Sequence, residues 1–279
     1  HTIDAGEWLH YQVIVPRERS RVVLVSQSGE SVEIKHLVER EIAGPDYVAI
    51  TNDENSTLAR HAALVLPIRA GDEAAISTKT YTNTLAVLFL TAAALEGPSA
   101  VDNAFDLIEQ TANNLLTADR EHLAAISEFM LPGNAVGFVG RGPAFVAAQQ
   151  SALTFMEGAR CFASAFSGGS FRHGPFEALG PDFRLVVFAP SSQTLPLMDR
   201  LGRDAAQLGA HVVLVTDTGL PEADNLKVLR IASITGPSSE DLFPLASSGP
   251  MPLLLHEFAR ARGIEAGNFR YGGKVPTRE

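Results

Sequence analysis

The sequence predicts an α/β protein made of two copies of one domain, each a parallel sheet wrapped on both faces by helices. Three observations predict it. Short apolar runs alternate with helix-length amphipathic segments, the pattern of strands joined by crossover helices. The order of segments over residues 22–95 returns over residues 184–262, at a period above that of a solenoid. The apolar runs also break into Ser-, Asn- or Gly-rich turns, where ligands sit at the carboxyl ends of parallel strands.

In the first copy, Val22-Val23-Leu24-Val25 is a buried strand that breaks into Ser26-Gln27-Ser28-Gly29-Glu30-Ser31 and a helix over 32–41. A strand over 47–51, a polar turn over 52–56 and a strand over 63–67 follow. A long helix then runs over 77–95, with Ser77-Thr78 as its cap. Residues 101–130 are periodic and almost free of Gly and Pro, and read as one or two connecting helices ended by Leu131-Pro132-Gly133-Asn134. The second copy opens with a strand over 135–139, a tight turn over 140–143 and a helix over 144–160. It continues as a strand over 184–189, the loop Pro190-Ser191-Ser192-Gln193-Thr194, a helix to 208, strands over 211–216 and 228–231, and a long helix over 241–262. Nothing like the 135–160 unit precedes Val22, since the chain opens at His1. The first domain is therefore expected to lack its opening strand, turn and helix. Domain limits are expected at 1–130 and 131–265, with a tail over 266–279.

Composition bounds the function. The 279 residues, 46% of them apolar, suffice for two ordinary cores. A net charge of −10 argues against nucleic-acid binding, which needs a basic face. The longest apolar stretch, 85–95, is too short to span a bilayer. No signal peptide is visible, and a cytoplasmic location is expected. The single Cys161 can form neither an internal disulfide nor, alone, a metal site, and no two His stand at ligand spacing. Gly137-Phe138-Val139-Gly140-Arg141-Gly142 departs from the dinucleotide order of glycines. Neither a metal nor an organic cofactor is implied.

The loop over 26–31 carries the chemistry. A strand ending in hydroxyls, an amide and a glycine at a helix start points backbone N–H groups and short side chains at one spot, where the helix dipole adds positive charge. A phosphate fits there. Without the Gly-Lys-Ser/Thr of a Walker loop, the pattern suggests a sugar phosphate rather than a nucleotide. On the hexapeptide alone, a plain Ser-rich cap fits equally well.

Further anchors are Ala70-Gly71-Asp72-Glu73 leading to Ser77-Thr78-Lys79, the segment from Glu157 to His173-Gly174-Pro175, and Gly273-Lys274-Val275 near the end. On these residues and the loop, the chain resembles the sugar isomerase (SIS) family over nearly its whole length. Within it, the branch that is similar holds the isomerase half of glucosamine-6-phosphate synthase and the stand-alone amino-sugar phosphate deaminases and isomerases. The resemblance implies two tandem three-layer α/β/α domains, flavodoxin-like or Rossmann-like. It also implies roles. Ser26, Gln27, Ser28 and Ser31 would hold the substrate phosphate, and Ser77 would reach the sugar. Glu157 would carry a proton between C1 and C2. His173 would open the sugar ring from a neighbouring subunit, which requires at least a homodimer. Lys274 would form a Schiff base with the open-chain ketose.

Each role has a physical basis and a plainer alternative. Glu157 has Phe155, Met156, Gly158 and Ala159 as neighbours. An apolar setting disfavours the charged carboxylate, which suits a base acting on carbon. By itself it would read as an exposed helix residue. Imidazole exchanges protons near neutral pH, yet a lone loop His is ordinarily a surface residue. Lys274 follows Gly272-Gly273, which would let the tail fold in, yet by composition it is a tail lysine. One position departs from the synthase pattern. Thr154 stands one helical turn before Glu157, where the synthase has a lysine. Deaminase- or isomerase-type chemistry is then easier to support, with free ammonia expected as the product. The expected substrate is a hexosamine 6-phosphate. A fructosamine-phosphate deglycase and a sugar-phosphate-binding regulator are the alternatives.

Overall fold

The computed structural model describes residues 1–11, 20–42, 44, 46–233 and 239–271. Two compact units divide it, one over His1–Leu95 with Arg270 and Tyr271, and one over Glu96–Phe269.

The first unit runs α1 (Ala5–Tyr11), β1 (Val22–Val25), α2 (Val32–Glu39), β2 (Tyr47–Thr51), α3 (Thr57–Arg60), β3 (Leu64–Pro67) and α4 (Lys79–Glu96). Its strands pair in parallel in the order β1-β2-β3, with Leu24 beside Ala49 and Val48 beside Leu64. Parallel pairing places every loop that follows a strand at one edge. The core is built where α1 and α2 meet the sheet: Trp8 and Leu9, then Ile34, Leu37 and Val38 at helical spacing, close over Leu24, Tyr47, Ala49 and Leu58. The buried Tyr47 hydroxyl donates to the Leu58 carbonyl at 2.8 Å, so its burial leaves no donor unpaired.

The second unit runs α5 (Pro98–Ala112), α6 (Arg120–Phe129), β4 (Ala135–Gly140), α7 (Ala144–Ala159), β5 (Phe162–Ser167), α8 (Gly168–Arg172), β6 (Arg184–Phe188), α9 (Leu195–Gln207), β7 (His211–Thr216), β8 (Leu226–Arg230), α10 (Ser239–Ser247) and α11 (Pro250–Ala261). Five parallel strands lie in the order β5-β4-β6-β7-β8. This is a doubly wound sheet whose order reverses between β4 and β6. The duplicated strands are thus β1-β2-β3 and β6-β7-β8. Two strands, β4 and β5, precede β6 in the second unit. Among the described residues the first sheet has counterparts of neither, where the sequence leads one to expect a single strand missing.

Three local features differ from the sequence expectation. Residues 96–130 pack in the second unit rather than the first, because α6 buries Leu123 and Ile126 and lies against α11. The helix expected over 241–262 is two helices. A Cβ at Gly249 would stand 2.0 Å from the Leu115 carbonyl oxygen, so only glycine lets the chain pass, and Pro250 then starts α11. β5 had no apolar run to betray it: Phe-Ala-Ser-Ala-Phe-Ser is an edge strand of mostly small residues, with Phe162 exposed.

Arg184 ties the second unit together. Only 3% exposed, it donates to the carbonyls of Met130 (2.8 Å), Pro181 (2.8 Å) and Leu131 (2.5 Å). Arg184→Met would strand these acceptors, at about 1–3 kcal/mol each when buried. The expected loss is roughly 3 kcal/mol or more, read from the shift in urea midpoint.

Among the described residues no helix is long and apolar enough to cross a membrane.

Candidate active site

At the carboxyl end of β1 the chain turns through residues 26–31 into α2. Ser26 Oγ accepts from the Gly29 amide (3.2 Å) and Ser28 Oγ from the Glu30 amide (3.2 Å). Each hydroxyl is thereby oriented by the loop's own backbone and keeps its O–H to donate. Ser31 is the N-cap of α2, with extended backbone and no side-chain cap bond. Ser26, Gln27, Ser28 and Ser31 are all half-buried. The sequence-predicted phosphate residues therefore share one turn at a helix N-terminus.

Two carboxylates and an amide that sequence reasoning missed hold this edge together. Glu30 accepts from the Thr57 amide at 2.5 Å and pairs with Lys35 at 2.7 Å. The Lys35 ammonium, and then the Thr57 N–H, lower its pKa to about 2. Because the folded pKa lies below the ordinary carboxylate value, the stabilisation is present above about pH 4.5 and lost as pH falls through about 2. Glu73 accepts from the amides of Thr78 (2.9 Å) and Thr80 (3.1 Å) and from the Thr80 hydroxyl (2.6 Å), so it caps the start of α4 beside Ser77. Asn52 joins the two loops: its amide N–H donates to the Gln27 carbonyl, its Oδ1 accepts from Ala70 N–H (2.8 Å), and its Nδ2 donates to the Gly71 carbonyl (2.9 Å). The 26–31 loop and the segment leading to Ser77 are thus bonded into one edge.

Helix N-termini attract anions, and in the first unit carboxylates already occupy most of them. Asp4 accepts from Gly6 and Glu7 at α1, Glu30 serves α3 and Glu73 serves α4. At α2 no side chain caps the helix from Ser31.

The duplicated loop in the second unit is not equivalent. There Ser191 N–H donates to Asp217 Oδ1 at 2.7 Å. Asp217 follows the last residue of β7 as Asn52 follows the last residue of β2. A carboxylate on the loop amide takes the place a phosphate oxygen would need and repels an anion. The two loops therefore differ in the charge placed on them.

The second unit carries the remaining described candidates. Glu157 lies in the last turn of α7, partly buried beside the fully buried Phe155. Its apolar surroundings are one-sided, since Met156 is 40% exposed. Thr154 is buried and donates to the Ser151 carbonyl of its own helix (3.2 Å). His173 ends α8 and is exposed, with its N–H on the Ser170 carbonyl (3.2 Å). The Gly-rich stretch Ser167-Gly168-Gly169-Ser170 before it, which by composition reads as a loop, forms the start of α8, capped by Ser167 Oγ accepting from Ser170 N–H. Lys274 lies outside the described residues.

A family model described as "SIS domain" matches residues 1–94 and 133–260. The chain belongs to the SIS domain family. The two matched stretches coincide with the two sheets and leave out α5 and α6. Among curated proteins, this SIS chain is 28% identical to the isomerizing glutamine–fructose-6-phosphate aminotransferase of Zymomonas mobilis, over 99% of the chain and 47% of that protein. It is 29% identical to the enzyme of the same name from Bacillus spizizenii, over 96% of the chain and 45% of that protein. The chain spans about half the length of the curated relatives it matches. Among solved structures, the C-terminal domain of glucosamine-fructose-6-phosphate aminotransferase from Francisella tularensis superposes with a TM-score of 0.84 at 22% identity, over 95% of this chain and 77% of that one. Glucosamine-6-phosphate deaminase from Thermotoga maritima gives 0.74 at 19%, over 98% and 80%. These superpositions establish the shared fold.

Proposed function

We propose that this SIS protein is a cytoplasmic phosphosugar enzyme that converts a hexosamine 6-phosphate, glucosamine 6-phosphate in the first instance, to fructose 6-phosphate and ammonia. The observation that carries the reading is the 26–31 loop: a helix start lined with oriented serine hydroxyls and left uncapped by any side chain from Ser31. Ser26, Gln27, Ser28 and Ser31 hold the phosphate, and Ser77 contacts the sugar. His173 moves the anomeric proton to the ring oxygen as the ring opens. Glu157 takes the proton from C2 and returns it to C1, which converts the 2-amino aldose to a 2-imino ketose. Water hydrolyses the imine, so one water enters and one ammonia leaves. Lys274 exchanges with the imine as a Schiff base before hydrolysis.

Similarity to the aminotransferases supports C1–C2 chemistry, and likeness to the glucosamine-6-phosphate deaminase of Thermotoga maritima supports ammonia release. Thr154, committed to its own helix, favours a deaminase or isomerase over a synthase-type reaction. The test is a coupled assay with glucosamine 6-phosphate that follows ammonia and fructose 6-phosphate together. Equal release of both supports the deaminase. Turnover of a fructosamine phosphate alone would replace it with the deglycase, and binding without turnover would replace it with a regulator.

The exposure of His173 fits a residue that works on a partner, and the proposal includes a homodimer. Glu157→Gln and His173→Ala should each be inactive alone. Co-refolded in equal amounts, they should recover about a quarter of wild-type activity, since half the dimers are mixed and one of their two sites is whole. No recovery would place His173 in the same site as its own Glu157.

A further inference from the structure

We propose that Glu30 is a positioning residue that sets the loop's affinity for the substrate phosphate by latching residues 26–31 to the start of α3. The inference rests on the reading of that loop as the phosphate site. A carboxylate is an unexpected member of such a loop, because its charge opposes a dianion. Here the charge is turned away from the ligand's role: one oxygen is held by the Thr57 amide and the other by the Lys35 ammonium. What remains is geometry. The backbone N–H of Glu30 is the donor that orients Ser28 Oγ, and the preceding Gly29 N–H orients Ser26 Oγ. The Gly29 carbonyl accepts from Leu58 N–H (3.2 Å), one residue past the Thr57 contact. Glu30 and Gly29 thus dock side by side on the first turn of α3. A shift of Glu30 away from Thr57 rotates the amides that aim both hydroxyls.

The latch has two halves that can be removed separately. Glu30→Ala deletes the acceptor. Thr57→Pro deletes the Thr57 donors, backbone N–H and hydroxyl, and leaves the glutamate in place. Proline is accepted at that position because Thr57 is the first residue of α3 and the preceding Ser56 has φ −64 and ψ 161. Glu30→Gln removes the charge and keeps an acceptor oxygen.

The experiment is calorimetric binding of fructose 6-phosphate to the wild type, the three single variants and the Ala/Pro double variant, with KM and kcat for glucosamine 6-phosphate alongside. Glu30→Ala and Thr57→Pro should each weaken binding about tenfold, a loss the size of one charge-assisted hydrogen bond. The double variant should be no weaker than either single one. KM should rise while kcat stays within about threefold, and Glu30→Gln should keep most of the affinity. Wild-type affinity in Glu30→Ala, or losses that multiply in the double variant, would overturn the latch and leave the phosphate reading standing. Tighter binding in both Glu30→Ala and Glu30→Gln would overturn it in favour of simple charge repulsion. A wild type that binds no sugar phosphate overturns both. If Glu30→Ala does not fold, Thr57→Pro decides alone.

Discussion

Glu157→Gln should leave the protein folded and able to bind fructose 6-phosphate, while turnover of glucosamine 6-phosphate falls by about 10²–10⁴-fold. The substitution keeps the shape of a partly buried side chain in the last turn of α7, so packing against the rest of the helix changes little. It removes the ability to accept a proton from carbon. Nothing one turn away can take over, because Thr154 is buried and its hydroxyl is on the Ser151 carbonyl. The loss should therefore fall on kcat, with affinity unchanged. A second readout isolates the step: wild-type protein should exchange the C2 hydrogen of the sugar with solvent deuterium, and the variant should not. Retention of turnover within tenfold would remove Glu157 from the chemistry.

What the sequence made legible follows from how local each feature is. β2 and β7 are central strands, buried along almost their whole length, and read as apolar runs whose limits, 47–51 and 211–216, match the structure. The 26–31 loop was legible for the same reason, since strand, hydroxyls and helix start are contiguous. β5 was not, because serines break its phenylalanines and alanines, so this edge strand shows no continuous apolar run. α3, at four residues, is too short to show a helical period. The break before α11 depends on the carbonyl of Leu115, a contact remote in sequence.

The supporting residues of the site were hidden for the same reason. Glu30, Glu73 and Asn52 look like ordinary polar residues until folding brings them to Thr57, Thr78, Ala70 and Gly71. Asp217 is the counterpart case. In sequence, the 190–194 loop stands at the same end of its strand as the 26–31 loop, and only the bond from Ser191 N–H to Asp217 shows the difference between them. Duplication supplied two similar loops. One residue after the neighbouring strand, amide in one copy and carboxylate in the other, is where the two loops differ: Asp217 takes the Ser191 N–H, while Asn52 bonds to Ala70 and Gly71.

Gly29→Ala should abolish tight binding of sugar phosphates. Gly29 has φ 62, a left-handed conformation that costs an L-residue roughly 1–2 kcal/mol. A Cβ there would stand 2.2 Å from Ser56 Oγ and 2.6 Å from Ser56 Cβ. Ser56 is 1% exposed and cannot step aside: its hydroxyl donates to the Asp53 carbonyl (2.7 Å) and accepts from Ala59 N–H (3.2 Å). Overpacking of this kind costs about 1–3 kcal/mol. The loop must therefore lift from α3, carrying Ser26, Ser28 and Glu30 out of register together. The two costs add to roughly 2–5 kcal/mol, or about 30-fold and upward in affinity. Calorimetry with fructose 6-phosphate checks the loss, and a second substitution checks its cause. Ser56→Gly removes the two closest clashing atoms, so Gly29→Ala/Ser56→Gly should bind better than Gly29→Ala alone, with the left-handed strain and a tight 3.1 Å approach to Leu58 Cβ left unrelieved. If the double variant recovers nothing, the clash with Ser56 is not what sets the loop's shape. If Gly29→Ala binds like the wild type, the phosphate is held elsewhere.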